Sequence, residues 1–107
     1  MHIAEQDLKL VREIVRCCLP DDVHVMVYGS RSTGRNLKPF SDLDLCLKGT
    51  APLSVETLSQ LRQAFENSNL PYQVDLVDWA QLQPEFRSAI SHDLMPLAVN
   101  RVSDASR

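Results

Sequence analysis

The sequence predicts one domain of the α/β (α+β) class, in which helices pack against a small central sheet. Three observations support this prediction. The chain has 107 residues, of which 44% are hydrophobic, as is typical of a globular domain. Along the chain, segments in which apolar residues recur every three or four positions are interspersed with segments in which they recur every second position or form a continuous run, and turns or loops separate them. We therefore expect residues 1–107 to form one domain, with a frayed polar tail at 102–107.

The first two elements are a helix and a strand. Leu8, Val11 and Val15 recur at spacings of three and four, which predicts an amphipathic helix over residues 4–18. After a Pro-Asp-Asp break, residues 23–28 are rich in β-branched side chains and apolar on both faces. This run predicts an interior strand.

The second strand follows a polar segment. Residues 30–41 contain Gly34 and Pro39, which predicts a short helical turn followed by a loop. Residues 42–48 then alternate strictly between apolar and other side chains, as a strand does. One face of this strand carries Leu43, Leu45 and Leu47, and the other carries Asp42, Asp44, Cys46 and Lys48.

The remaining elements complete the predicted order helix, strand, strand, helix, strand, helix. Ser54 is expected to cap a helix with apolar residues at helical spacing, namely Val55, Leu58, Leu61 and Phe65. A third strand is predicted over 72–78, and a last helix carries Leu82, Phe86 and Ile90. Residues 92–97 are expected to form a further short turn. The pattern leaves strand order and direction open.

Charge and composition exclude several classes of protein. The 11 Lys and Arg residues are scattered and the net charge is −3, so the basic face of a DNA-binding protein is missing. Apolar runs fall short of the roughly 18 residues that a membrane helix needs. Three cysteines are too few and odd in number for a disulfide framework. We therefore expect a cytoplasmic protein. Because so short a chain has little room for a separate substrate-binding lobe, we also expect its chemistry to depend on a partner.

A Gly-Ser pair at the end of the first strand is the first candidate site. Gly29 and Ser30 lie at the start of the predicted helical turn, where backbone N–H groups and a hydroxyl favour a phosphate group. The lysine of a P-loop and the Gly-x-Gly-x-x-Gly pattern are absent. Taken alone, the pair fits a tight turn equally well. Arg31 is the loop cation that we expect to face this phosphate group.

Two aspartates in the second strand form the second candidate site. Asp42 and Asp44 are two positions apart, so both side chains leave the same face, with Cα atoms roughly 6.5–7 Å apart. Hard oxygen ligands beside a phosphate site favour Mg²⁺. The alternative is that both carboxylates belong to a solvated strand face, although Cys46 on that face argues against full exposure.

Asp75 in the third strand is a candidate third carboxylate. It shares a face with Gln73 and Val77, where an acid is out of place in a plain core strand. Three such carboxylates can hold two metal ions about 4 Å apart for displacement at phosphorus, and Asp75 is placed to act as general base. The alternative is an arginine salt bridge that holds Asp75.

These three motifs together resemble the polymerase-β-like nucleotidyltransferase superfamily. The motifs are the Gly-Ser-x-x-x-Gly element at 29–34, the Ser-Asp-Leu-Asp-Leu element at 41–45, and the aspartate of the strand within 72–79. Within the superfamily the chain resembles the minimal nucleotidyltransferases, which implies a mixed sheet flanked by helices. Members of that family are commonly paired with a small helical HEPN-type protein in toxin–antitoxin systems.

The resemblance implies a Mg²⁺-dependent transfer of AMP from ATP to a hydroxyl, with two ions, on a HEPN-type partner held in a hetero-oligomer. It implies nucleotide binding by Gly29 and Ser30, to which we add Arg31 and Ser41. Metal binding and catalysis are assigned to the aspartates Asp42, Asp44 and Asp75. Two alternatives stay open. One is an antitoxin that neutralises its partner by binding alone, and the other is a nucleotide-sensing subunit.

Overall fold

The computed structural model describes residues 1–97, and the predicted frayed tail at 102–107 lies outside the described residues. The helices are α1 (Glu5–Cys18), α2 (Ser30–Thr33), α3 (Val55–Glu66) and α4 (Pro84–Ser91), with a 3₁₀ turn at Trp79–Gln81. The strands are β1 (His24–Tyr28), β2 (Leu43–Lys48), β3 (Val74–Asp78) and β4 (Met95–Pro96). The predicted mixture of helices around a small sheet is confirmed.

The sheet has four strands in the order β3-β2-β1-β4. β1 is antiparallel to both β2 and β4, whereas β2 and β3 run parallel. A parallel pair needs a long crossover, and α3 provides it between β2 and β3. The sheet is therefore mixed, as the resemblance implies, and this arrangement answers the question that the sequence pattern left open.

One face of the sheet is covered by α1 and α3. Fully buried leucines and valines of β1 and β2 pack there against fully buried residues of α1 and α3. The strand residues are Val27, Leu43, Leu45 and Leu47, and the helix residues are Val11, Val15 and Leu61. The cap predicted for α3 is present, because the Ser54 hydroxyl accepts a hydrogen bond from the Thr57 N–H at 3.0 Å. This side supplies the main core of the domain.

The opposite face is covered only in part, by α4. Phe86 of α4 meets Tyr28 of β1 edge to face, with ring centroids 6.2 Å apart. Cys46 lies on the same face and is fully buried, in agreement with the expectation that this face is not fully exposed. The rest of this face, around Asp44, stays open. The fold therefore has one closed face and one partly open face.

The last part of the chain differs from the sequence prediction. The helix expected from Leu82, Phe86 and Ile90 begins only at Pro84, because a 3₁₀ turn comes first. Asp78 caps that turn by accepting from the Ala80 N–H at 3.2 Å. The short turn expected within 92–97 is present at residues 92–93, but it is followed by β4, a strand that the sequence did not predict and that pairs with β1. A strand of two residues is too short to produce a detectable alternation.

β3 begins at Val74 rather than at residue 72, although the Gln73 carbonyl already accepts from the Leu43 N–H at 2.9 Å. Across residues 1–97, every helix is too short or too polar to span a lipid bilayer.

Candidate active site

A row of three polar side chains crosses the open face of the sheet. In the strand register, Tyr28 of β1 pairs with Asp44 of β2, and Asp44 pairs with Asp75 of β3. Residues paired across neighbouring strands point to the same side of a sheet. The two aspartates that the sequence places in separate strands therefore lie side by side, with a phenol next to them.

The carboxyl group of Asp44 is the electrostatic centre of this row. Its pKa is raised to about 6, first by burial and then by the charges of Asp75 and Asp42 and a hydrogen bond to Asp75. Each of these causes disfavours the ionised form. A cation placed between the carboxylates would remove the repulsion, so the arrangement is poised to bind positive charge.

Gly29 brings the end of β1 against this carboxyl group. Its φ is +74°, in the region that favours glycine, and a Cβ at this position would overlap Oδ2 of Asp44. The neighbouring Ser30 begins α2 and is half-buried. The Gly-Ser element and the aspartate strand, which are predicted from separate motifs, therefore meet at one point.

Asp42 lies at the entrance to β2, where it is exposed. Its carboxylate is close enough to act on Asp44, although Asp44 interacts more strongly with Asp75. Among the described residues 1–97, no group of three His, Cys, Asp or Glu side chains is arranged as a ready-made metal site. Oxygen-only ligands on a repulsive carboxyl pair nevertheless fit Mg²⁺, which usually completes its shell with substrate phosphates and water.

Arg31 is committed to contacts within the protein. It is 6% exposed and donates to three backbone carbonyls, those of Ser41 at 2.9 Å, His2 at 3.0 Å and Pro39 at 3.1 Å. Its guanidinium also lies 3.8 Å from the centre of the Tyr72 ring. These contacts fasten the loop that leads into β2, which is a structural role. Direct contact of Arg31 with a nucleotide stays a prediction.

Ser41 contributes to the same loop. Its hydroxyl accepts a hydrogen bond from the Lys38 N–H at 2.9 Å, and its carbonyl accepts from Arg31. The other side of α2 is fixed by Ser32, whose hydroxyl donates to the Asp93 carbonyl, and by an ion pair of Arg35 with Asp93 at 3.5 Å. The loops around the site are thus held from both sides. Nucleotide contact by Ser41 also stays a prediction.

Asp75 is exposed on β3. The alternative of an arginine salt bridge is not seen, because the ion pair found within residues 1–97 joins Arg35 to Asp93. Asp78, the other acid of this strand, has a structural role instead. It is 7% exposed and accepts from the Leu53 N–H at 2.8 Å. The two aspartates of β3 therefore face opposite sides of the sheet.

Tyr28 is the site residue that sequence reasoning missed. Its pKa is raised to about 12, first by burial and then by the charges of Asp44, Cys46 and Asp75, so the phenol stays protonated. The available signal was its position directly before Gly29. Only the antiparallel register of β1 and β2 places it beside Asp44, and that register is not visible in a single strand.

Comparison with known proteins identifies the family of this site. Residues 20–95 match the family described as polymerase beta, nucleotidyltransferase. A Haemophilus influenzae protein named probable protein adenylyltransferase MntA is 38% identical over 90 residues, which cover 84% of this chain and 77% of the relative.

Solved structures share the fold at lower identity. A toxin–antitoxin crystal structure with AMP-PNP is 21% identical, with a TM-score of 0.69 over 94% of this chain and 79% of that chain. A complex of a tri-AMPylated Shewanella oneidensis HEPN toxin with MNT antitoxin is 17% identical, with a TM-score of 0.59 over 92% and 78%.

These comparisons agree with the geometry of the site. The matched residues 20–95 include β1, β2 and β3, and with them Gly29, Ser30 and the three aspartates. The resemblance inferred from the motifs is thereby confirmed. Because the family match covers most of the chain and the Haemophilus relative shares 38% of its residues over 84% of it, this protein belongs to the polymerase beta nucleotidyltransferase family.

Proposed function

We propose that this chain is a Mg²⁺-dependent adenylyltransferase that transfers AMP from ATP to a hydroxyl of a HEPN-type partner and thereby acts as its antitoxin. The observation that carries the proposal is the contact between Gly29 and the Asp44 carboxyl group, with Asp75 beside it. The name of the Haemophilus relative and the AMPylated HEPN toxin complex support this choice of donor and acceptor.

In this proposal Gly29 and Ser30 hold the phosphates of ATP, and Arg31 and Ser41 shape the loop beside them. Asp42, Asp44 and Asp75 hold two Mg²⁺ ions. When bound, the ions neutralise phosphate charge and lower the pKa of an attacking hydroxyl. The set fits because the Asp44 carboxyl group already meets a second carboxyl group that repels it.

The residues of the chain divide the reaction between them. The acceptor oxygen forms a bond to the α-phosphorus, the bond from that phosphorus to the bridging oxygen breaks, and pyrophosphate leaves. Asp75 takes the proton of the acceptor, because it is the exposed member of the carboxyl pair. Gly29 lets the backbone approach Asp44 closely, so the phosphates of ATP and the carboxylates lie next to each other.

The partner belongs to the proposal as well. We expect a hetero-oligomer with the HEPN-type protein in the cytoplasm, since the acceptor must reach the open face of the sheet. The open face around Asp44 and Asp75 has room for a protein surface because α4 covers only the neighbouring part.

The test is the intact mass of the HEPN-type partner after co-expression with this chain. We expect added AMP units with the wild-type chain and none with the Asp42→Asn, Asp44→Asn double variant. The control is Glu13→Gln, Glu56→Gln, which removes the same charge from exposed helix positions and should leave the modification unchanged. A partner that is silenced without added mass by all three forms would establish an antitoxin that acts by binding alone.

A further inference from the structure

β3 presents an open edge at the border of the sheet. It is the terminal strand in the order β3-β2-β1-β4 and pairs only with β2 within residues 1–97. The Leu43 N–H donates to the Gln73 carbonyl, so the backbone of Gln73 faces β2 in this parallel ladder. In a parallel ladder the N–H and C=O groups of every second residue point towards the partner strand, and those of the residues between them point away from it. Those of Val74 and Leu76 therefore face away from β2 and are available to another strand.

A groove of about 860 Å³ runs along this edge. Its lining includes Asp75 and Tyr28 of the candidate active site. The wall of the groove also carries two exposed, oppositely charged residues of α3, Arg62 and Glu66. Leu70 adds an apolar surface. The groove thus extends along the free backbone edge of β3 and includes Asp75 of the candidate active site.

In the proposed reaction, the acceptor approaches from the side of this groove. The Gly-Ser element follows β1, Asp44 lies on β2, and Asp75 lies on β3, so the proposed phosphate-binding element, the central carboxyl group and the proposed base follow one another across the sheet. In displacement at phosphorus, the attacking and leaving oxygens lie roughly in line on opposite sides. With the phosphates at the β1 side, the acceptor enters from the β3 side.

We propose that this groove binds an extended segment of the acceptor protein, which adds to β3 as a further strand and places its acceptor hydroxyl beside Asp75. The inference rests on the adenylyltransferase function proposed above. The segment hydrogen-bonds to the outward backbone groups of Val74 and Leu76, as in other cases of strand addition. Side chains of both signs on the wall, Arg62 and Glu66, suit a polypeptide. They disfavour a nucleic acid strand, which the carboxylates of Glu66 and Asp75 would repel.

The first experiment reverses the charges of the groove wall. The Arg62→Glu, Glu66→Lys double variant keeps the net charge and alters only exposed positions. The control is Glu13→Lys, Arg16→Glu, the same exchange on exposed positions of α1. We measure the rate of AMP addition to the HEPN-type partner by mass spectrometry and the affinity for ATP by calorimetry. We expect about tenfold slower addition with the groove variant, unchanged ATP affinity, and no effect of the control.

Three results of this experiment have distinct meanings. Equal rates for the groove variant and wild type would overturn the docking proposal and leave the adenylyltransferase proposal intact. A loss of ATP affinity in the groove variant would also overturn it, because the groove would then hold the donor. Absence of any added mass with the wild-type chain would instead contradict the proposed function.

The second experiment detects the added strand itself and does not depend on turnover. Hydrogen exchange is measured for the chain alone and in complex with the HEPN-type partner. We expect the amides of Val74 and Leu76 to exchange fast in the free chain and at least about tenfold slower in the complex. Unchanged exchange in the complex would overturn the proposal. Slow exchange in a free chain that proves dimeric would overturn it too, because a second copy would occupy the edge.

Discussion

Asp44 and Leu45 are neighbours on β2, yet they belong to opposite faces of the sheet. Leu45 is fully buried against the helices α1 and α3. Asp44 lies on the partly open face beside Asp75, where burial and neighbouring acids raise its pKa to about 6. The closed face gains stability from packing, whereas the open face keeps two carboxyl groups together at a loss of stability. Such a division is typical of a scaffold that carries a charged site.

The largest expected effect is a loss of AMP transfer when the central carboxylate of the open face is removed. Asp44→Asn removes the central carboxylate and should lower the rate of AMP transfer about a thousandfold, which corresponds to about 4 kcal/mol of barrier. The fold should persist, because the amide has the same shape and ends the repulsion with Asp75. Transfer rates together with circular dichroism test this. An active Asp44→Asn enzyme would contradict the assignment of Asp44 as a metal ligand.

The next effect concerns the closed face. Leu45→Ala leaves a cavity in a fully buried position and should lower the free energy of unfolding by about 2–5 kcal/mol. Urea denaturation measures this change. Asp44→Asn, one residue away, is the matched comparison and should show no such loss. Equal destabilisation by both substitutions would refute the division of the sheet into a packing face and a site face.

Gly29 is the point where the backbone of β1 approaches the open face. Gly29→Ala should slow transfer about 10–100-fold and lower stability by about 1–2 kcal/mol, because φ is +74° and the new Cβ overlaps the Asp44 carboxyl group. Gly49→Ala is the control, since its Cβ would meet Val23 Cγ2 at an ordinary 3.4 Å. Steady-state kinetics and urea denaturation of both variants test this. Similar behaviour of the two variants would argue against close approach at Gly29.

The smallest effect is on the pH dependence of stability. The pKa of Asp44 is raised from 3.8 to about 6, so between these values the unfolded chain has released a proton that the folded chain retains. The contribution of Asp44 to stability is therefore fully present below pH 3.8 and is lost as pH rises through 6.

Without divalent cations, Asp44→Asn should therefore be more stable than wild type at pH 7, by about 1 kcal/mol after allowance for solvent screening, and should lose this advantage by pH 4. Thermal denaturation at both pH values, with a shift of a few degrees at pH 7, measures it. A stability difference that is the same at pH 4 and pH 7 would show that Asp44 ionises normally.

Much of this architecture could be predicted from the sequence. Helical spacing identifies α1 and α3, and strict alternation identifies β2 and places its leucines together on one face, which the structure shows to be buried. Such patterns are local, because each depends on which side of one element is hidden from water. The candidate residues Gly29, Asp44 and Asp75 were found in the same way, from unusual residue types within those patterns. β4 and the turn before α4 were missed, since both are too short to show a period.

The tertiary structure alone decided how these elements meet. Strand order and direction depend on contacts between segments far apart in the chain, and no single strand encodes them. Only the pairing of β1, β2 and β3 places Tyr28, Asp44 and Asp75 in one row. The same pairing leaves the outer edge of β3 open, and the packing of the loop buries Arg31. The sequence by itself determined the candidate groups apart from Tyr28, because unusual residue types stand out within local patterns, and packing between distant segments decided which of these groups lie together.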